Sequence, residues 1–202
     1  HQGLFDIAYL RHIPNMRILA PAGIRELTEM IRASVAFDAP CAIRYPKKAV
    51  MQAPEQQTTP FEFGKWKTIV QGQKGALLAV GSMVGAALQA AEMLRGEGID
   101  LEVVNASTVK PLDTQMLDRL SKARIPVFTL EEHVLDGGFG SAVLEYAATH
   151  GNEPTVHPIA VPSRFVTHGD HKTLLRETGL DTDSVVGFVR DTLNPSGRND
   201  ER

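Results

Sequence analysis

Residues 75–105, GALLAVGSMVGAALQAAEMLRGEGIDLEVVN, decide the fold class. They open on Ala76–Val80, a short apolar run without alternation, as expected of a strand buried on both faces of a parallel sheet. Gly81 and Ser82 interrupt it. From there Val84, Leu88, Ala91 and Leu94 recur at spacings of three and four, the period of a helix with one apolar stripe, and Ser82 stands where an N-cap is expected. Gly96 and Gly98 close the helix, and Leu101–Asn105 is again a strand. Strand, helix and strand within ~30 residues make a βαβ unit, which predicts parallel strands joined by a right-handed crossover.

Working outward, strands are expected at Lys67–Val70, Val127–Leu130 and Val156–Val161. Helices are expected from Pro111 through Leu112, Met116, Leu117 and Leu120, over Gly140–Ala148, over Lys172–Thr178 between an Asp170 cap and Gly179, and from Asp181 through Val185, Val189 and Leu193. This alternation predicts an α/β domain over 67–194 with a mostly parallel five-stranded sheet and helices on both faces. Upstream, His1–Pro14 reads as loop and short helix. A strand Met16–Ala20, a helix with the stripe Ile24, Leu27, Ile31 and Val35, and a strand Cys41–Tyr45 then form a second β-α-β unit within residues 1–46. Residues 47–66, with Gln52, Gln56, Gln57, Thr58, Thr59, Pro54 and Pro60, show neither period and read as a linker. Residues 195–202 read as a disordered polar tail. The start at His1, without an initiator methionine or leader-like segment, is read as a fragment of something longer.

Composition narrows the function. With 21 basic against 24 acidic side chains the net charge is −3, and only 6% of residues are aromatic, so the basic footprint and stacking platforms of a nucleic-acid binder are missing. The most apolar window, Gly75–Ala91, falls short of a membrane span and is broken by Gly81-Ser82. The single cysteine, Cys41, has no internal disulfide partner, which fits a reducing, cytoplasmic compartment.

Few residues suggest chemistry. His1, before Gly3 in a loop, suits a proton donor or acceptor beside a small ligand. Arg44, Lys47 and Lys48 gather at a strand end, where α/β proteins bind ligands, and suit a phosphate or carboxylate or else a solvated rim. Arg11-His12 reads as an anion contact or a solvated helix end. Asp136–Gly140 lacks the G-x-G-x-x-G spacing, which favours a tight turn over an anion cradle. Glu131-Glu132-His133 ends a strand, with acid–base work or routine strand-end polarity as its readings. His168-Gly169-Asp170-His171 lacks a second ligand pair for a metal and reads as loop plus helix cap.

Read together, His1-Gln2-Gly3 with Phe5-Asp6, Tyr9-Leu10-Arg11, Ile13–Met16, Ala20-Pro21 with Glu26-Leu27, Arg44-Tyr45-Pro46, Val109–Asp113, Glu131-Glu132, Gly137–Gly140, Gly169 and Gly179-Leu180 resemble the 1-deoxy-D-xylulose-5-phosphate synthase family of the transketolase superfamily. The resemblance implies the end of a pyrimidine-binding domain followed by a transketolase C-terminal-like domain. It implies an enzyme that joins pyruvate, with loss of CO2, to glyceraldehyde 3-phosphate, using thiamine diphosphate and Mg2+, as a homodimer, for isoprenoid and thiamine synthesis. His1 then matches a histidine that contacts substrate. Lys47 matches the last arginine of an Arg-Tyr-Pro-Arg run that binds the acceptor phosphate, with Arg44 or Lys48 sharing that work. The lysine is a departure, since it keeps the charge and loses the two-pronged guanidinium. The family's metal–diphosphate motif and catalytic glutamate belong upstream of His1, so no cofactor or metal residue is assigned and the chain alone is expected to be inactive. Two alternatives stay open: the β subunit of a thiamine-dependent 2-oxo-acid dehydrogenase, which disagrees at Arg44-Tyr45-Pro46 and Tyr9-Leu10-Arg11, and a non-catalytic dimerisation module.

Overall fold

The structure, a computed structural model, describes residues 3–47, 61–151 and 155–194. The expectations for His1, Lys48, most of the linker and the tail lie outside the described residues. The elements run α1 (Asp6–Arg11), β1 (Arg17–Leu19), α2 (Ile24–Val35), β2 (Cys41–Ile43), β3 (Lys67–Val70), β4 (Gly75–Ala79), α3 (Val84–Gly96), β5 (Leu101–Asn105), β6 (Thr108–Lys110), α4 (Thr114–Ala123), β7 (Val127–Val134), α5 (Phe139–Thr149), β8 (Val156–Val161), α6 (His171–Glu177) and α7 (Thr182–Leu193).

The main sheet has the order β3-β5-β4-β7-β8. Its inner strands are parallel, and only β3 runs antiparallel, against β5. Side chains alternate between its faces as the pleat requires. Leu77, Ala79, Leu101, Val103, Phe128 and Leu130 join one core with residues of α3 and α7. Ala76, Leu78, Val80, Val104 and Val127 join the other, with Leu117 and Leu120 of α4 and Phe139 and Val143 of α5. The expected five-stranded, mostly parallel sheet with helices on both faces is therefore present. Among the described residues no helix is long and apolar enough to cross a membrane.

A second sheet, β2-β1-β6, is the feature that most positions the site. β1 pairs in parallel with β2 and antiparallel with β6, a strand from the later part of the chain. Ile7, Ile18 and Ala20 are buried in the same core as the sheet residues Ala76 and Leu78, so the N-terminal unit closes one face of the main sheet.

Several local expectations change. Ser82 sits in a 3-10 turn, Gly81–Met83, and its hydroxyl donates to Glu132 at 2.9 Å instead of capping α3. α4 begins after Asp113, whose carboxylate accepts from the Met116 N–H at 3.0 Å and also from the Trp66 N–H at 2.8 Å; Pro111 lies before it. The apolar stripe of α2 is turned outward: Ile24 is 59% exposed and Val35 84%, while Met30 is buried. The cause is Glu26, one turn before Met30, which accepts from the Ala22 N–H at 2.7 Å and from Asn105 Nδ2 at 3.0 Å and so faces inward. Burial raises its pKa above the ordinary carboxylate value.

Candidate functional site

The polar motifs converge where α1 lies against the end of β7. Glu131 is fully buried on β7. Its two oxygens accept from the Phe139 N–H and the Gly140 N–H, both at 2.7 Å, at the start of α5. The glycine-rich turn is thus an anion cradle, and the anion it holds is the chain's own carboxylate, set against the positive end of the helix dipole. A Cβ on Gly138 would lie 2.5 Å from the Val134 carbonyl oxygen and 2.6 Å from Glu131 Oε2, so only glycine fits there. A Cβ on Gly140 would lie 2.7 Å from Thr129 Oγ1.

Burial outweighs the two N–H bonds and nearby Arg44 and Arg11, and pushes the Glu131 pKa up to about 7 from 4.5. A raised carboxyl pKa contributes stability that is complete below the unfolded value and is lost as pH rises through the folded one, here between about 4.5 and about 7. The shift corresponds to about 3 kcal/mol. The urea midpoint of the chain is expected to fall from pH 5 to pH 8, and Glu131→Gln to flatten that fall; an unchanged slope in the variant would assign the titration to another group.

His133, also fully buried, follows on the same strand. Its Nδ1–H donates to the Val134 carbonyl at 2.7 Å, and its Nε2 accepts from the Ala8 N–H of α1 at 3.3 Å. Burial lowers its pKa, so the ring is neutral at pH 7 and its 3.9 Å approaches to Asp6 and Glu131 are not ion pairs.

Two arginines complete the joint. Arg11 Nη1 donates to the Gly137 and Gly138 carbonyls at 2.8 and 2.9 Å, and Nη2 pairs with Glu145 at 2.6 Å. Arg44 donates from Nε to the Asp6 carboxylate at 3.0 and 3.2 Å, and from Nη2 to the Gly3 and Glu132 carbonyls at 2.6 Å each. Lys110 Nζ donates to the Arg11 and Ile13 carbonyls, both at 2.7 Å. The cationic pair expected at one ligand is therefore split: Lys47 is exposed, whereas Arg44 is turned inward to the protein's own acceptors.

Gly3 and Glu132 also line a cavity of about 340 Å³, with Leu4, Val166, His168 and His171 among its other walls. There the Glu132 carboxylate accepts from Ser82 Oγ at 2.9 Å and lies 2.8 Å from His171 Nε2. Asp170 caps α6 through the Lys172 N–H at 3.1 Å, as expected. Sequence reasoning missed this Ser82–Glu132–His171 cluster, because its members are far apart in the chain and Ser82 looked like a cap. Among the described residues no group of three His, Cys, Asp or Glu side chains could hold a metal ion.

Comparison with known proteins bears on what this joint belongs to. The family described as "Transketolase, C-terminal domain" matches residues 64–185, and "Transketolase, pyrimidine binding domain" matches residues 1–52. Curated relatives include the 1-deoxy-D-xylulose-5-phosphate synthases of Geobacillus sp. (strain WCH70), 39% identical, and Pelotomaculum thermopropionicum, 44% identical, each aligned over 94% of this chain. The chain spans only 31% and 30% of their lengths. Among solved structures, a split-gene transketolase in the form of an inactive β4 tetramer is similar with a TM-score of 0.82 and 31% identity, covering 96% of this chain and 62% of that one. The transketolase of Leishmania mexicana shares the fold, with a TM-score of 0.75 over 96% of this chain and 28% of its own, at 19% identity.

Proposed function

The chain belongs to the transketolase family, and we propose that it is part of a 1-deoxy-D-xylulose-5-phosphate synthase, which joins pyruvate, with loss of CO2, to glyceraldehyde 3-phosphate. The observation that carries the reading is 39–44% identity to proteins of that name along 94% of the chain. The product would feed isoprenoid and thiamine synthesis in the cytoplasm. The reaction needs thiamine diphosphate and Mg2+, and in this reading both are held by parts of the assembled enzyme outside the described residues. The chain by itself is then inactive, and the enzyme a homodimer.

Within this reading His1 handles a proton at the substrate, as an imidazole titrating near neutrality can. Lys47 meets the acceptor phosphate as a point charge; it is exposed, in the segment that follows β2. Arg44, expected to share that phosphate, lies three residues before it, and its hydrogen bonds run to Asp6, Gly3 and Glu132. In the assembled enzyme Lys47→Ala is expected to raise the KM for glyceraldehyde 3-phosphate about 10- to 100-fold with kcat little changed, the effect of losing one charged hydrogen-bonding group. An unchanged KM would remove Lys47 from the phosphate site.

CO2 release measured with pyruvate alone, with added glyceraldehyde 3-phosphate, and with a lipoyl acceptor tests the reading. Stimulation by the phosphorylated aldehyde, with no need for the lipoyl group, is the expected pattern. Turnover only with the lipoyl acceptor would instead assign the chain to a 2-oxo-acid dehydrogenase.

A further inference from the structure

We infer that Arg44 is a positioning residue for residues 3–6, the segment that follows His1 in sequence, and not a ligand of the substrate phosphate, an inference that rests on the synthase reading above. One guanidinium gathers three separate parts of the chain. Its Nε meets both oxygens of Asp6, the first residue of α1, at 3.2 and 3.0 Å. Its Nη2 meets the carbonyl of Gly3, two residues after His1 in sequence, and the carbonyl of Glu132 on β7, each at 2.6 Å. The planar fork of arginine supplies several donors in fixed directions, which a lysine cannot reproduce. To turn that fork toward a phosphate, Arg44 would have to release Asp6, a carboxylate only 23% exposed whose paired cation it is, together with two carbonyls.

The acceptors lie on both sides of the joint. Gly3 and Asp6 bracket the residues that lead from His1 into α1, and Glu132 belongs to the main sheet. Leu4 is tied to the same strand, its carbonyl accepting from the Val134 N–H at 3.0 Å. The other end of α1 is held in a similar way, by Arg11 on the Gly137 and Gly138 carbonyls, and its middle by the Ala8 N–H on His133. α1 and residues 3–5 before it are thus registered against β7, and among the described residues Arg44 makes the contact nearest His1 in sequence. Misplacing a reacting group by about 1 Å can cost about 100-fold in rate.

The test uses the assembled synthase with two acceptors, glyceraldehyde 3-phosphate and unphosphorylated glyceraldehyde. Arg44→Ala is expected to lower kcat about 100-fold with both, with the KM for the phosphorylated aldehyde unchanged. Asp6→Asn is expected to show a smaller loss of the same kind, and adding it to Arg44→Ala to cost little more, because the two act through one contact. Arg44→Lys, which keeps the charge and loses the fork, is expected to restore only part of kcat. A loss confined to the phosphorylated aldehyde, appearing in KM and recovered by Arg44→Lys, would overturn the positioning role and make Arg44 a phosphate ligand. If Arg44→Ala does not fold, Arg44→Lys and Asp6→Asn decide: a lower kcat with both aldehydes supports positioning, and an unchanged kcat overturns it. An unmutated enzyme that makes no deoxyxylulose phosphate would overturn the synthase reading itself, a result separate from either outcome for Arg44.

Discussion

In the assembled enzyme, His1→Ala is expected to lower turnover about 100- to 10,000-fold, the range that a positioned general acid or base supplies. Histidine carries this expectation because its ordinary pKa, about 6.5, lets one side chain take up and return a proton near neutrality. The carbonyl of Gly3, two residues on in sequence, is held by Arg44, and the carbonyl of Leu4 by β7. The loss is expected in kcat more than in KM, and the acid limb of the pH–rate profile set by the imidazole is expected to vanish with it. His1→Gln, which keeps hydrogen bonding without titration, is expected to lose that limb as well. Full turnover with an unchanged pH profile in both variants would take His1 out of the chemistry.

The second large effect is on stability. Gly138→Ala would drive a Cβ to 2.5 Å from the Val134 carbonyl oxygen and 2.6 Å from the Glu131 carboxylate, neither of which can give way. The carbonyl belongs to β7, and the carboxylate is held by two N–H groups of α5. Overpacking of this kind costs about 3 kcal/mol, which for a chain of this length lowers Tm by roughly 10 °C. Gly96→Ala is the control: it lies at the end of α3 with no heavy atom within 4 Å of its would-be Cβ, so alanine there is expected to be neutral or slightly stabilising. Equal melting of Gly138→Ala and the unmutated chain would show that the turn can relax and that the cradle is not rigid.

The main sheet was legible because its signals are local. An apolar run, a helical period and a glycine stop lie consecutively in residues 75–105, and the observed β4, α3 and β5 differ from that reading at their ends only. β6 was not legible. Thr108–Lys110 is three residues long, and its partner is β1, some ninety positions earlier, where no period can announce it. The rotation of α2 was not legible for a related reason. Its aliphatic stripe is real, yet the rotation of the helix is set by what Glu26 finds, the Ala22 N–H and Asn105, and Asn105 belongs to β5.

The polar motifs were visible as motifs, and their partners were not. The spacing of Gly137–Gly140 favours a tight turn over an anion cradle; the segment is both, with Glu131 as the group it holds. The signal is Glu131 itself, a carboxylate on β7 eight residues before the start of α5, whose N-terminus favours negative charge. Arg11 and Arg44 were read as possible ligand contacts because a sequence displays charges without displaying the carbonyls that compete for them. The structure directs both to acceptors across the joint between α1 and β7. Lys47, by contrast, is exposed.

Carbon-13 NMR of the product formed from pyruvate labelled at its carbonyl carbon tests the proposed reaction most directly. The assembled enzyme, given thiamine diphosphate, Mg2+ and glyceraldehyde 3-phosphate, is expected to place the label in the ketone carbon of 1-deoxy-D-xylulose 5-phosphate, with one CO2 released per product. Label recovered in an acetyl thioester, in acetate or in unreacted pyruvate, with none in a five-carbon ketose phosphate, would contradict it.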